Sequence, residues 1–243
     1  MRRSLAAAAL AVLPLAANAG ALTVNPIRLE LAAGQAATSM TIGNAADAPA
    51  TVQVSVQRWQ HRDGVDELEP ATGGDAPIVT PPMFQLAPGA SQIVRIGFAG
   101  RHATAEEGRW RLVVEELPQA QLQALPVALT PVQIATRLRI SLPLFRLPAV
   151  VRSQLDWQLE HASSGSSPAL AVVNRGTTTE RIDRAQLHGG DAALAGIAGP
   201  VYLFPGEQRR FPLPASAIAA TAPQLSVAGS VPLDDHALAW PAE

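Results

Sequence analysis

Short stretches in which apolar and polar residues alternate, each cut off by proline, glycine, asparagine or aspartate, run through almost the whole chain. They fall at residues 22–31, 37–42, 51–59, 92–98, 110–115, 133–144, 156–159, 169–174, 201–204, 208–213 and 225–231. A period of two puts every second side chain on one face, the pattern of strands with one buried side. The single helical candidate, residues 115–125, is interrupted by Pro118 and followed by Pro126 and Pro131. With 21 prolines and 18 glycines, the pattern predicts an all-β protein built as sandwiches.

The run ending near Phe145 leads through Pro148 into a second series of strands. Residues 20–148 and 149–243 each suit an immunoglobulin-like sandwich of ~100 residues, so two domains are expected. The stretch Ser163-Ser164-Gly165-Ser166-Ser167 is expected as a hairpin loop within the second of them. No repeat of fixed period is visible.

Met1-Arg2-Arg3-Ser4, an apolar run over residues 5–17 and Ala17-Asn18-Ala19 have the layout of a secretory signal peptide spanning residues 1–19. The run is shorter than the ~20 residues of a membrane-spanning helix. An exported chain with no membrane insertion is therefore expected.

Composition narrows the function. The 20 acidic and 18 basic residues leave a charge of −2, which supplies no global attraction for nucleic acid. All 18 basic residues are arginine, which removes Schiff-base and P-loop chemistry. The absence of cysteine removes disulfides, thiolate nucleophiles and cysteine zinc sites. No G-x-S-x-G, H-E-x-x-H or S-x-x-K motif occurs.

His61, His102, His161, His188 and His236 sit among polar neighbours and are expected as solvated loop residues. The acidic cluster from Asp63 to Glu69 matches no calcium loop and is expected as an exposed hairpin tip. Glu106-Glu107 and Glu115-Glu116 are adjacent pairs, and adjacent residues on a strand face opposite ways, so neither pair suits glycoside hydrolysis. The chain is accordingly read as no enzyme, with no cofactor and no metal.

Residues 119–148 contain no acidic residue and three arginines, Arg137, Arg139 and Arg146. Leu125, Val127 and Leu129 alternate, and Val132, Ile134, Leu138, Ile140 and Leu142 form a second apolar series. This is either an ordinary central strand or an open edge strand, which would template the addition of another chain.

Together with Val24-Asn25-Pro26-Ile27-Arg28, Met40-Thr41-Ile42-Gly43-Asn44, Gln57-Arg58-Trp59, the block Val79-Thr80-Pro81-Pro82-Met83-Phe84-Gln85-Leu86-Ala87-Pro88-Gly89, Trp110-Arg111-Leu112 and Glu116-Leu117-Pro118, these residues resemble the periplasmic chaperones of chaperone-usher pilus assembly. Val172-Val173-Asn174 and Phe204-Pro205-Gly206-Glu207-Gln208 extend the resemblance into the second half.

The resemblance implies two immunoglobulin-like domains in an L-shaped, boomerang arrangement and a periplasmic location. It implies that the chain lends an edge strand to a pilus subunit lacking its last strand and passes the subunit to an outer-membrane usher. The lent row would be Leu125, Val127, Leu129, Val132, Ile134 and Leu138. The subunit's terminal carboxylate would be held between the domains by Arg28 and by Arg139, with Arg137 as the other choice. Arg95 and Glu107 resemble an interdomain ion pair with an acidic partner, Asp234 or Asp235. The open edge also allows self-association. The alternative reading is an exported immunoglobulin-like binding or structural pilus component.

Overall fold

The computed structural model describes residues 22–62, 64–100, 104–117, 138–162, 167–190, 192–219, 222–230 and 234–241. The first half supplies β1 (Leu22–Asn25), β2 (Leu29–Leu31), β3 (Ala37–Asn44), β4 (Ala50–Arg62) and β5 (Val65–Pro70). It continues with β6 (Ile78–Thr80), β7 (Met83–Leu86), β8 (Ser91–Gly97), β9 (Gly108–Leu117) and β10 (Arg139–Arg146). One sheet runs β1-β3-β8-β6, and the other runs β2-β10-β9-β4-β5 with β7 also paired to β4. Met40 and Ile42 of β3, Val52 and Val54 of β4, Val94 and Ile96 of β8, and Leu112 and Val114 of β9 meet between the two sheets. Each pair is spaced by two residues, as the sequence period requires.

The second half supplies β11 (Leu155–Glu160), β12 (Ala169–Asn174), β13 (Glu180–Gly189), β14 (Ala192–Leu203), β15 (Gln208–Pro212), β16 (Gln224–Gly229) and β17 (Asp234–Ala237). Sheets β11-β12-β15 and β14-β13-β16-β17 enclose a separate core around Trp157, Leu170, Val172, Ile182 and Leu187. The all-β, two-sandwich expectation holds. The helical candidate at 115–125 does not begin as a helix: β9 continues to Leu117, and among the described residues the one helical piece is the 3-10 turn Ala215–Ala219.

One turn device serves both halves. Buried Asn44 donates Nδ2 to the Ala48 carbonyl at 2.8 Å, and its Oδ1 accepts from the Ala46 N–H at 3.0 Å. Buried Asn174 donates to the Thr178 and Leu203 carbonyls at 2.8 and 2.9 Å and accepts from the Gly176 N–H at 2.8 Å. Each asparagine carbonyl receives the N–H of a Pro-Gly turn glycine, Gly89 in one case and Gly206 in the other. These glycines have φ of 72° and 81°, which suits the third position of a Pro-Gly turn and disfavours any side chain there.

The acidic cluster lies on the β4–β5 hairpin, turned at Gly64 with φ of 80°. β11 and β12 pair antiparallel, and of the serine-rich stretch expected as a hairpin loop, residues 163–166 lie outside the described residues.

Candidate functional site at the domain junction

β10 is paired on both sides only at its end. β2 runs parallel to it from Leu144 to Arg146, while Arg139–Pro143 faces β9 alone among the described strands. The Leu138 carbonyl accepts from the Glu116 N–H at 3.0 Å. In an antiparallel ladder, bonded and non-bonded residues alternate. Arg139, Ser141 and Pro143 therefore turn their backbone groups away from β9, toward the open edge. Pro143 lacks an N–H and sits where none is needed by the ladder. Leu138 and Ile140 pack against the first core, and Leu142 and Leu144 are within it. Leu138 thus stands at the start of the edge, whereas Leu125, Val127, Leu129, Val132, Ile134 and Arg137 lie outside the described residues.

The outward face of the same sheet meets the second domain. Trp59 of β4 and Phe145 of β10 are buried with Phe204 in an aromatic cluster. Trp59 meets Phe204 and Tyr202 edge to face, each at 4.9 Å between ring centres.

His61 corrects the solvated-loop expectation. Its side chain is 2% exposed, stacked on Phe204 at 3.8 Å, with Nε2 2.8 Å from Asp66 and Nδ1 2.8 Å from Glu207. A ring protonated on both nitrogens donates to both carboxylates. Burial by itself would raise the Glu207 carboxyl. Hydrogen bonds from His61 and the Phe204 N–H, with the charges of His61 and Arg209, outweigh burial and hold Glu207 below the ordinary carboxylate value.

On the other side of the junction, buried Glu107 accepts from the Thr179 N–H at 2.9 Å and from the Thr179 hydroxyl. Burial pushes this carboxyl above its ordinary value, against the Thr179 bonds and the charges of Arg109 and Arg28. Glu107 therefore joins the two domains, but not through Arg95. Arg95 is exposed on β8, in the opposite sheet, and makes no ion pair with Glu107.

Arg28 immediately precedes β2. Its Nε is 2.6 Å from Glu30, and its guanidinium lies 4.4 Å over the Phe145 ring. The parallel register sets it beside Pro143. Arg139, opposite Glu115, is exposed four residues earlier on β10, roughly 13 Å along the strand at ~3.3 Å per residue. The structure does not bring these two cations together.

It does bring others. A cleft of about 640 Å³ between the domains is lined by Ser141 and Pro143 of the open edge and by Arg111, Arg181, Arg209 and Arg210. Arg111 stacks 3.7 Å over Trp59, and its nearest carboxylate, Asp66, is 3.8 Å away. Burial lowers this guanidinium from its ordinary value. The sequence reading missed Arg111 and the three second-domain arginines. Their signal was faint: each is a polar position on a strand, and the cleft exists only when β9 and β15 are placed opposite each other.

The family model of the pili and flagellar-assembly chaperone, PapD N-terminal domain, matches residues 21–152, and the chain belongs to this family. A search of curated protein sequences finds no significant match. Solved structures resemble the whole architecture. The CsuC–CsuE chaperone–tip adhesion subunit pre-assembly complex from archaic chaperone-usher Csu pili of Acinetobacter baumannii matches with a TM-score of 0.63 and 18% identity, over 90% of this chain and 98% of that one. The E. coli chaperone DraB matches with a TM-score of 0.63 and 20% identity, over 90% and 97%. The Salmonella enterica SafA pilin in complex with the SafB chaperone matches with a TM-score of 0.61 and 17% identity, over 92% and 99%. At these identities the likeness is one of fold: two immunoglobulin-like sandwiches.

Proposed function

We propose that this pilus-chaperone family member works in the periplasm, binding and folding pilus subunits by donor-strand complementation and delivering them to an outer-membrane usher. The observation that carries the reading is the edge of β10, where Arg139, Ser141 and Pro143 turn backbone groups away from β9 and have no partner strand on that side among the described residues, beside a basic cleft. An incoming strand would bond to that edge, and its end would enter the cleft. Similar folds occur in complexes with a tip adhesion subunit and with a pilin, which supports subunits as the partners here.

In this proposal the domain boundary lies between Pro148 and Ala149, after β10 and before β11. The apolar row Leu125, Val127, Leu129, Val132, Ile134 and Leu138 fills the subunit's groove. Arg28 anchors the subunit's terminal carboxylate, since a guanidinium can offer two parallel charge-assisted donors; the second donor is Arg139, which lies four residues along β10 in the free chain and would have to approach on binding, or Arg137. The role requires no catalysis.

Co-expression with the pilus subunit encoded nearest to this chain, followed by affinity purification, tests the reading. Wild type is expected to form a 1:1 complex. Arg28→Ala should remove most of it, because losing one member of a buried charge pair costs about 2 to 5 kcal/mol. Normal recovery with Arg28→Ala would sink the anchor, and no complex with wild type would sink the chaperone reading.

A further inference from the structure

The cleft holds more positive charge than its carboxylates neutralise. Arg181 is bound by Asp183 at 2.6 Å, and Arg210 by Glu160 at 2.5 Å. Arg111 and Arg209 are in a different position. The Arg111 side chain is 13% exposed; it lies over the Trp59 and Tyr202 rings and donates a hydrogen bond to the neutral Tyr202 side chain, and Asp66 is its nearest carboxylate. Asp66, at 3.8 Å, is more closely engaged by His61 at 2.8 Å. Arg209 has no hydrogen bond or ion pair among the described residues. Its guanidinium crosses from the second domain to the Gly64 turn of the first, in the space a side chain at Gly64 would fill. Glu207 contributes only at longer range, since His61 and the Phe204 N–H hold its oxygens.

We propose that Arg111 and Arg209, one from each domain, form an anion seat in this cleft that takes an acidic side chain of a bound polypeptide. A largely buried guanidinium whose one carboxylate stands 3.8 Å off, lining the same cleft as a second guanidinium with no ion pair among the described residues, favours a further carboxylate, and the two present donors from both domains. The seat is separate from Arg28, which lies over Phe145 and pairs with Glu30. Ser141 and Pro143 line the same cleft, so a strand on the open edge of β10 brings its side chains within reach. That choice of ligand rests on the proposed chaperone role, while the existence of the seat does not.

The test uses the full-length purified chain and no subunit. The probe is tri-glutamate with an amidated C-terminus, compared with tri-glutamine bearing a free C-terminus and with inorganic phosphate, by calorimetric titration at low salt. Tri-glutamate amide is expected to bind wild type and Arg184→Gln alike, because Arg184 is exposed on β13, and at least tenfold more weakly to Arg209→Gln and to Arg111→Gln. Arg209→Gln carries the test alone if Arg111→Gln unfolds, since among the described residues Arg209 packs on no aromatic ring. Equal binding to wild type and Arg209→Gln overturns the seat, as does an equal loss in Arg184→Gln. Tighter binding of phosphate or of tri-glutamine overturns the acidic side chain as its ligand. Because subunit capture is scored in a separate experiment, failure of the chaperone reading cannot be mistaken for failure of the seat.

Discussion

Two carboxyls at the junction respond to pH in opposite directions. Glu107 is raised above its ordinary value of 4.5 by burial. A group raised in the folded state holds its proton there after the unfolded chain has lost it, so its contribution is complete below 4.5 and is lost as pH climbs through the raised value. Glu207 is held below 4.5 by His61 and the Phe204 N–H. Its contribution is present above 4.5 and is lost as pH falls through the lowered value. Glu107→Gln keeps an acceptor for the Thr179 N–H and offers a donor to the Thr179 hydroxyl. Denaturant titrations from pH 4.5 to 7 are expected to show a shallower fall in stability for this variant, with the acid limb below 4.5 unchanged. An unchanged slope from 4.5 to 7 would place the burial cost elsewhere. Glu107 was legible as an interdomain residue only through the family resemblance, and with Arg95 rather than Thr179 as its partner; Glu207 was not legible at the junction, since it and His61 are 146 residues apart in sequence.

Among the elements, β10 carries the testable consequence. Its open edge is defined by which N–H groups point outward, and proline removes an N–H while keeping an extended backbone. Ser141 turns its N–H away from β9, the same kind of position that Pro143 fills with no N–H at all. Ser141→Pro is therefore expected to leave the melting temperature within a few degrees of wild type while reducing subunit capture in the co-expression assay at least tenfold. A large drop in stability would mean that the ladder to β9 uses this N–H, and full capture would mean that the added strand pairs elsewhere. The periodic runs at 37–42, 51–59, 92–98, 110–115, 169–174 and 208–213 correspond to β3, β4, β8, β9, β12 and β15 within a few residues, because each has one face on a core. β5 was read as a hairpin tip, since nearly all of its side chains are exposed and no apolar face marks it. β13 and most of β14 were passed over because charged residues and Gly196, Gly199 and Pro200 break their alternation. The run at 22–31 became two strands in different sheets, divided around Pro26.

At the scale of the molecule, the two cores share no buried residue, and a small set of contacts joins them. Trp59 is the largest: 1% exposed, on a strand of the first domain, against Phe204 and Tyr202 of the second and beneath Arg111. The hydrogen bonds of His61 and Glu107 flank it and depend on its keeping the domains in register. Separate cores with a narrow contact unfold together only when the contact energy is comparable to the stability of the weaker domain. Truncating a buried tryptophan to alanine costs about 3 to 5 kcal/mol, a large share of the ~5 to 15 kcal/mol that holds a domain folded. Scanning calorimetry is therefore expected to give one transition for wild type and two for Trp59→Ala, the second-domain peak appearing near the temperature of residues 149–243 expressed alone. The same variant should lose affinity for tri-glutamate amide, because Arg111 and Arg209 line one cleft only while the domains are held in place. A single, merely lowered transition would show instead that Glu107–Thr179 and the Gly64–Arg209 contact suffice to couple the domains.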